Sequence, residues 1–105
     1  MICVTVFYPA AGEARFDIQY YYDKHIPLVQ RLLAPFGLTK VEVDEGLSGA
    51  APGTPPNYRI IGRLYFETLE GFQASLAAVG GQIFSDVPNY TDIPVELQVS
   101  KTLSF

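Results

Sequence analysis

Residues 2–8 constrain the fold more than any other segment. Ile2, Val4, Val6 and Tyr8 alternate there with Cys3 and Phe7. Successive side chains of a strand point to opposite faces, so a strand built from these residues is apolar on both. It belongs inside a sheet covered on two sides. The rest of the chain offers only two helical patterns, so the cover on one side has to come from elsewhere.

The first helical pattern follows Asp17, whose carboxylate is placed to cap a first turn. Tyr21, His25, Leu28 and Leu32 recur at helical spacing, as do Tyr22, Ile26, Val29, Leu33 and Phe36, until Pro35 and Gly37 end the run. Thr39 to Leu47 alternates Val41 and Val43 with Lys40, Glu42 and Asp44, a half-exposed strand. Ser48 to Asn57 holds three prolines and two glycines and reads as a loop. Tyr58 to Glu67 carries Ile60, Gly62, Leu64 and Phe66 on one face. Thr68 caps a second helix through Leu69, Phe72, Leu76, Val79 and Ile83, which Gly80-Gly81 is expected to weaken or break. Asp86 to Pro94 reads as a polar loop, and Pro94 to Leu103 as a last strand with Val95, Leu97, Val99 and Leu103. The order is β-α-β-β-α-β over residues 1–105. That is one α+β, ferredoxin-like domain with a four-stranded antiparallel sheet and both helices on one face.

The third strand adds Ile61 and Tyr65 opposite its main apolar row. The helices leave that side bare, and an apolar patch several strands wide exceeds what a soluble monomer usually exposes. The expected partner is a second copy of the chain, packed in a homodimer around a small, mostly apolar pocket. Hydrophobic residues at 49% and charged ones at 17% supply a core for a chain of 105 residues.

Seven basic residues against eleven acidic ones give a net charge of −4, and the basic ones are scattered, so neither nucleic acid nor a membrane is an expected partner. Cys3, the single cysteine, reads as a small buried hydrophobe. The N-terminal run lacks a basic leader and is broken by Pro9 and Gly12, so no signal peptide is expected and the expected location is cytoplasmic.

His25 is the only histidine, hence the one side chain that titrates near neutrality without a special environment. Pro27 lies two residues on. It lacks an N–H for the carbonyl of Asp23 and crowds it, so the helix should kink beside His25. Tyr21 shares its helix face and is placed to share a hydrogen bond with it. A kink, a lone histidine and a tyrosine among apolar side chains make a proton-transfer pocket, or a core histidine satisfied by a carbonyl. In the segment Asp86-Val87-Pro88-Asn89-Tyr90-Thr91-Asp92, Asn89 or Asp92 is a candidate to orient a ligand or His25, against a plain turn role. Gln98 faces either water or the cavity. One His and one Cys give no zinc spacing, and the phosphate-loop, dinucleotide and nucleophile-elbow patterns are missing.

Two stretches resemble the EthD family. Phe16-Asp17-Ile18-Gln19-Tyr20-Tyr21-Tyr22-Asp23-Lys24-His25-Ile26-Pro27-Leu28-Val29 is similar to its helix signature, and Asp86 to Asp92 with the last strand to its second signature. The Gly46-Leu47-Ser48-Gly49 turn and the Tyr58 to Phe66 strand also fit. The resemblance implies a dimeric α/β-barrel in which two ferredoxin-like sheets pack face to face. The family takes its name from a gene cluster for bacterial ethyl tert-butyl ether degradation. Its relatives include cofactor-free enzymes that isomerise, dehydrate or oxidise cyclic substrates, and others that bind haem. The signature histidine maps to His25 and the kink aromatics to Tyr20 and Tyr21, while Tyr22 replaces a usual aliphatic residue and alters the pocket wall.

The leading expectation is therefore a cofactor-free enzyme moving a proton on a small apolar organic molecule. His25 is its catalytic residue, and Tyr21, Tyr22, Asn89 and Gln98 are its substrate contacts; no metal and no cofactor are expected. The alternatives are a binding or carrier protein using the same pocket, and a haem protein with His25 as axial ligand.

Overall fold

The computed structural model describes residues 1–10 and 12–105. Ala11, part of the expected turn after the first strand, lies outside them. Strands β1 (Ile2–Pro9), β2 (Leu38–Glu45), β3 (Tyr58–Phe66) and β4 (Glu96–Lys101) form one sheet in the order β2-β3-β1-β4. All three pairings are antiparallel. The two-sided β1 takes a central place, as its composition demands.

The first helix is three contiguous pieces: α1 (Ile18–Tyr20), a π turn (Tyr21–His25) and α2 (Ile26–Leu33). Asp17 caps it by accepting the Tyr20 N–H at 3.1 Å. The kink expected before Pro27 takes the form of that π turn, in which the Ile26 N–H reaches the Tyr21 carbonyl. Proline then occupies the first turn of α2, where a missing N–H does least harm. Gly37 closes the helix with φ of 91°, a left-handed conformation that favours glycine.

Helix α3 (Leu69–Asp86) is capped by the Thr68 hydroxyl, 3.0 Å from the Gly71 N–H. A β-carbon on residue 71 would collide with the Phe36 carbonyl oxygen, so glycine permits the two helix ends to touch. Contrary to expectation, α3 runs unbroken through Gly80-Gly81. Ile83 beyond the pair packs on the core cluster and offsets the roughly 1 kcal/mol that each helical glycine costs. Two strands are shorter than the sequence reading: β2 stops at Glu45, leaving Leu47 91% exposed, and β4 spans only Glu96–Lys101.

Register sets the faces. Val4 lies opposite Leu64 and Val99, and Val6 opposite Gly62 and Leu97, on the helix side. Two core clusters form there: Val4, Val29, Leu33, Phe66 and Phe72 toward one end, and Tyr8, Phe16, Tyr21, Ile60, Tyr90 and Ile93 toward the other. On the far side, Phe7 lies opposite Ile61 and Glu96, and Thr5 opposite Arg63 and Gln98. The expected broad apolar face is a narrower strip of Cys3, Phe7, Ile61 and Tyr65 on β1 and β3. Arg63 there binds Asp44 at 2.6 and 3.1 Å, because β2 alternates charge with valine. Among the described residues, no helix is long and apolar enough to cross a membrane.

Candidate active site

A narrow apolar slot, open to solvent on one side, runs between the helices and the sheet. It lies inside one chain. From sequence, two copies are expected to enclose the pocket; here Val4, Val6, Tyr8, Gly62 and Leu64 form its floor, with α2 and α3 as its walls. Leu76, Phe84, Leu97 and Val99 are left 42–44% exposed around the mouth between α3 and β4.

His25 and Tyr21 both line the slot. The His25 ring is 4% exposed, stacked on Tyr21 at 5.7 Å and tilted against Tyr90 at 4.6 Å. Its Nδ1 is 2.9 Å from Oδ2 of Asp86, the last residue of α3. On the other carboxylate oxygen, the Tyr20 hydroxyl donates at 2.7 Å and the Asn89 amide at 3.0 Å. Burial alone would push the Asp86 carboxyl up, but the hydrogen bonds from Tyr20, His25 and Asn89 together outweigh it and hold it below its usual value. Asp86 is thus ionised at neutral pH and can only accept, so Nδ1 carries the proton.

The remaining nitrogen, Nε2, keeps its lone pair. It makes no hydrogen bond within the described chain. No sealed polar side-chain atom lacks a partner there, so Nε2 must reach open space. Burial pulls the His25 pKa below its usual value, and the Asp86 interaction offsets this only in part. At neutral pH the ring is an uncharged base in the wall of an apolar slot.

Three buried tyrosines stand behind it. The Tyr8 and Tyr90 hydroxyls are 2.6 Å apart, and the Tyr21 hydroxyl lies next to Tyr8, filling the space that Gly62 leaves. Burial first, and the neighbouring phenols second, raise the pKa of Tyr8 and Tyr21 far above normal, so both stay protonated. The hydrogen bond expected between Tyr21 and His25 is replaced by ring stacking.

The other sequence candidates lie around the slot rather than in it. Tyr22 is 37% exposed and donates to Glu45; partial burial first, and that hydrogen bond second, raise its pKa to about 12. Asn89 reaches His25 only through Asp86 and Tyr20. Gln98 is on the far face of the sheet, bonded to Ser100 at 3.1 Å. Asp92, the other candidate for orienting His25, pairs instead with Arg15 at 3.3 Å. Arg15 also donates to the carbonyls of Pro88 and Asn89, stapling the loop after α3 to the segment before α1. Asp86 itself reads in sequence as the start of a polar loop. Continuous α3 is what delivers it to His25, 61 positions away in sequence. Among the described residues no cluster of His, Cys, Asp and Glu is fit to hold a metal ion.

A histidine–aspartate pair at one end of a slot between an antiparallel sheet and its two helices defines a ferredoxin-like α+β domain with an internal candidate site. The family model of the EthD domain matches residues 11–94. The chain belongs to the EthD family, as its two signature stretches led one to expect. An EthD-like protein from Ralstonia eutropha JMP134 shares 38% identity over 95% of this chain and 89% of its own, with a TM-score of 0.90. An EthD family protein from Bacillus halodurans C-125 shares 18% over 98% and 99%, with a TM-score of 0.74. A mutant form of SnoaB, a cofactor-independent oxygenase from Streptomyces nogalater, shares 10% over 99% and 93% at a TM-score of 0.54, a likeness of fold alone. No curated protein matches the chain.

Proposed function

We propose that the protein is an enzyme that moves a proton on a largely apolar organic molecule bound in the slot, without a cofactor. The observation that carries this reading is the pairing of His25 Nδ1 with Asp86 at 2.9 Å, which leaves Nε2 as the base at an apolar cavity. Fixing one ring nitrogen on a carboxylate sets the tautomer and the orientation of the other, the arrangement general-base catalysis needs. Isomerisation, dehydration and enolisation fit a single base better than hydrolysis does. A neighbour of the same fold, SnoaB, is described as a cofactor-independent oxygenase, which is compatible with chemistry run by the chain's own groups.

Wild-type protein and His25→Ala are to be compared on apolar compounds bearing one acidic C–H bond. A general base contributes about 10²- to 10⁴-fold, so the variant should lose at least a hundredfold in kcat while retaining most of its ligand affinity. Equal turnover by both proteins removes His25 from the chemistry. A ligand that co-purifies and is released unchanged by both would mark a carrier instead.

A further inference from the structure

The slot is polarised along its length. His25, Tyr21 and Tyr8 stand at one end, whereas Val29, Leu33, Leu64 and Phe72 make the other end from hydrocarbon alone. Ser75, also in the wall, commits its hydroxyl to the Phe72 carbonyl at 2.6 Å. Helix α3 lines the slot from Phe72 to Ile83, a rise of roughly 16 Å at an α-helix's 1.5 Å per residue. That length suits an extended chain better than a compact ring.

Nor does the lining include a lysine or arginine. A carboxylate or phosphate head would enter hydrocarbon beside ionised Asp86 with no cation to meet it, at a prohibitive desolvation cost. The head that fits is neutral and able to accept a hydrogen bond. The Tyr21 hydroxyl supplies one: it borders the slot on the ring stacked against His25, and the hydrogen bond it gives the Tyr8 hydroxyl is the one a ligand carbonyl takes over.

Resting on His25 as the base, we propose that the substrate is an elongated, uncharged carbonyl compound of the medium-chain ketone type. Its carbonyl lies at Tyr21 and His25, and its alkyl tail runs toward Leu33 and Phe72. In the step this arrangement serves, the C–H bond next to the carbonyl breaks and its proton passes to Nε2 of His25. The electron pair left behind forms the C=C bond, and the carbonyl π pair moves onto oxygen, which takes the hydrogen bond donated by Tyr21. Return of a proton from Nε2 reverses the step or completes an isomerisation. A neutral phenol stabilises the developing oxyanion without a charge that must be desolvated.

The test follows deuterium uptake from D₂O into 2-undecanone and 2-pentanone by mass spectrometry. Binding of both ketones and of undecanoate is measured in parallel by NMR titration of the protein. The expected result is uptake per unit concentration at least tenfold faster for 2-undecanone than for 2-pentanone, relative to each ketone's uncatalysed rate. Binding of 2-undecanone should be at least tenfold tighter than that of undecanoate, and Tyr21→Phe should slow uptake into both ketones at least tenfold. Chain length without effect on uptake or binding overturns the elongated ligand, and undecanoate binding as tightly as the ketone overturns the neutral head. Both are read on the wild-type protein, so they stand even if Tyr21→Phe fails to fold. Length-dependent ketone binding with no uptake above background upholds the ligand class and overturns the base.

Discussion

At the scale of single residues, the feature that calls for explanation is Asp86. A carboxylate in the last turn of a helix sits at the negative end of the helix dipole, and α3 has no basic residue there to offset it. Its partners are His25, Tyr20 and Asn89, so the local stability it gives up is recovered through the histidine it holds. Asp86 acts through His25, which makes it a positioning residue. Asp86→Asn should lower kcat about 10- to 100-fold, part of the ~10²–10⁴ a well-placed base provides. Because the Asp86 interaction raises the His25 pKa against burial, losing it should also shift the acid limb of the pH–rate profile to lower pH. A purely structural role would lower the rate and leave the limb in place. Acid should weaken the fold with the same sign. Unfolded His25 takes up a proton near its ordinary pKa of about 6.5, whereas the folded residue resists protonation to lower pH. The stability so gained is complete above about pH 6.5 and is lost as pH falls through the folded value. Urea titrations at descending pH should show the wild type losing stability in that window and His25→Ala losing less. The Tyr8–Tyr90 pair gives a further check. Tyr90→Phe takes one of the two phenol partners from the buried Tyr8 hydroxyl and should cost about 0.5–1.5 kcal/mol in urea unfolding, whereas the double Phe variant should recover part of the loss.

Among the elements, α3 decides whether the site exists, and its glycines are the place to probe it. A β-carbon on residue 81 would meet nothing within 4 Å, so Gly81→Ala should stabilise the protein by about 0.5–1 kcal/mol in thermal unfolding. Gly71→Ala should destabilise it, since its β-carbon would drive into the Phe36 carbonyl and part α3 from the end of the first helix. The same helix marks where sequence reading succeeds and where it stops. Alternating apolar residues, the Asp17 and Thr68 caps and the stop at Gly37 are local signals, and they placed all four strands and both helices. Pro27 announced a distortion next to His25, though not that it would be a π turn. Gly80-Gly81 misled because glycine's cost is small beside packing that appears only once Ile83 and Val87 reach their neighbours. Asp86 carried no local sign of its role, its partner being 61 positions away, and alternation alone could not place Gln98 on the far face.

For the molecule as a whole, the open question is what lies against the far face of the sheet. Cys3, Phe7, Ile61 and Tyr65 form a strip on the two central strands, and none of the helices reaches it. Charge beside this strip is largely self-satisfied: Arg63 binds Asp44 in two hydrogen bonds, and Tyr65 donates to Glu42 at 2.9 Å. Ion pairs already formed within a protomer lose less on burial than lone charges do, so the face can be covered despite its polar flanks. Two such faces related by a twofold axis would bring each strip against its copy, and we propose this homodimer as the assembly, with each copy keeping its own slot. A stable interface of this type buries about 1,200–2,000 Å² in total, which requires most of the sheet rather than the strip alone. Ile61 stands at one end of the strip, paired with Phe7 and Asp44. Ile61→Asp would set a second carboxylate beside Asp44 in the buried seam. In sedimentation equilibrium the wild type should have twice the 11.6 kDa chain mass and Ile61→Asp the chain mass itself, with the helical circular dichroism of both unchanged. A wild type that sediments as a single chain at the highest attainable concentration rules out the face-to-face pair. The slot, enclosed by one chain's own sheet and helices, would survive that result.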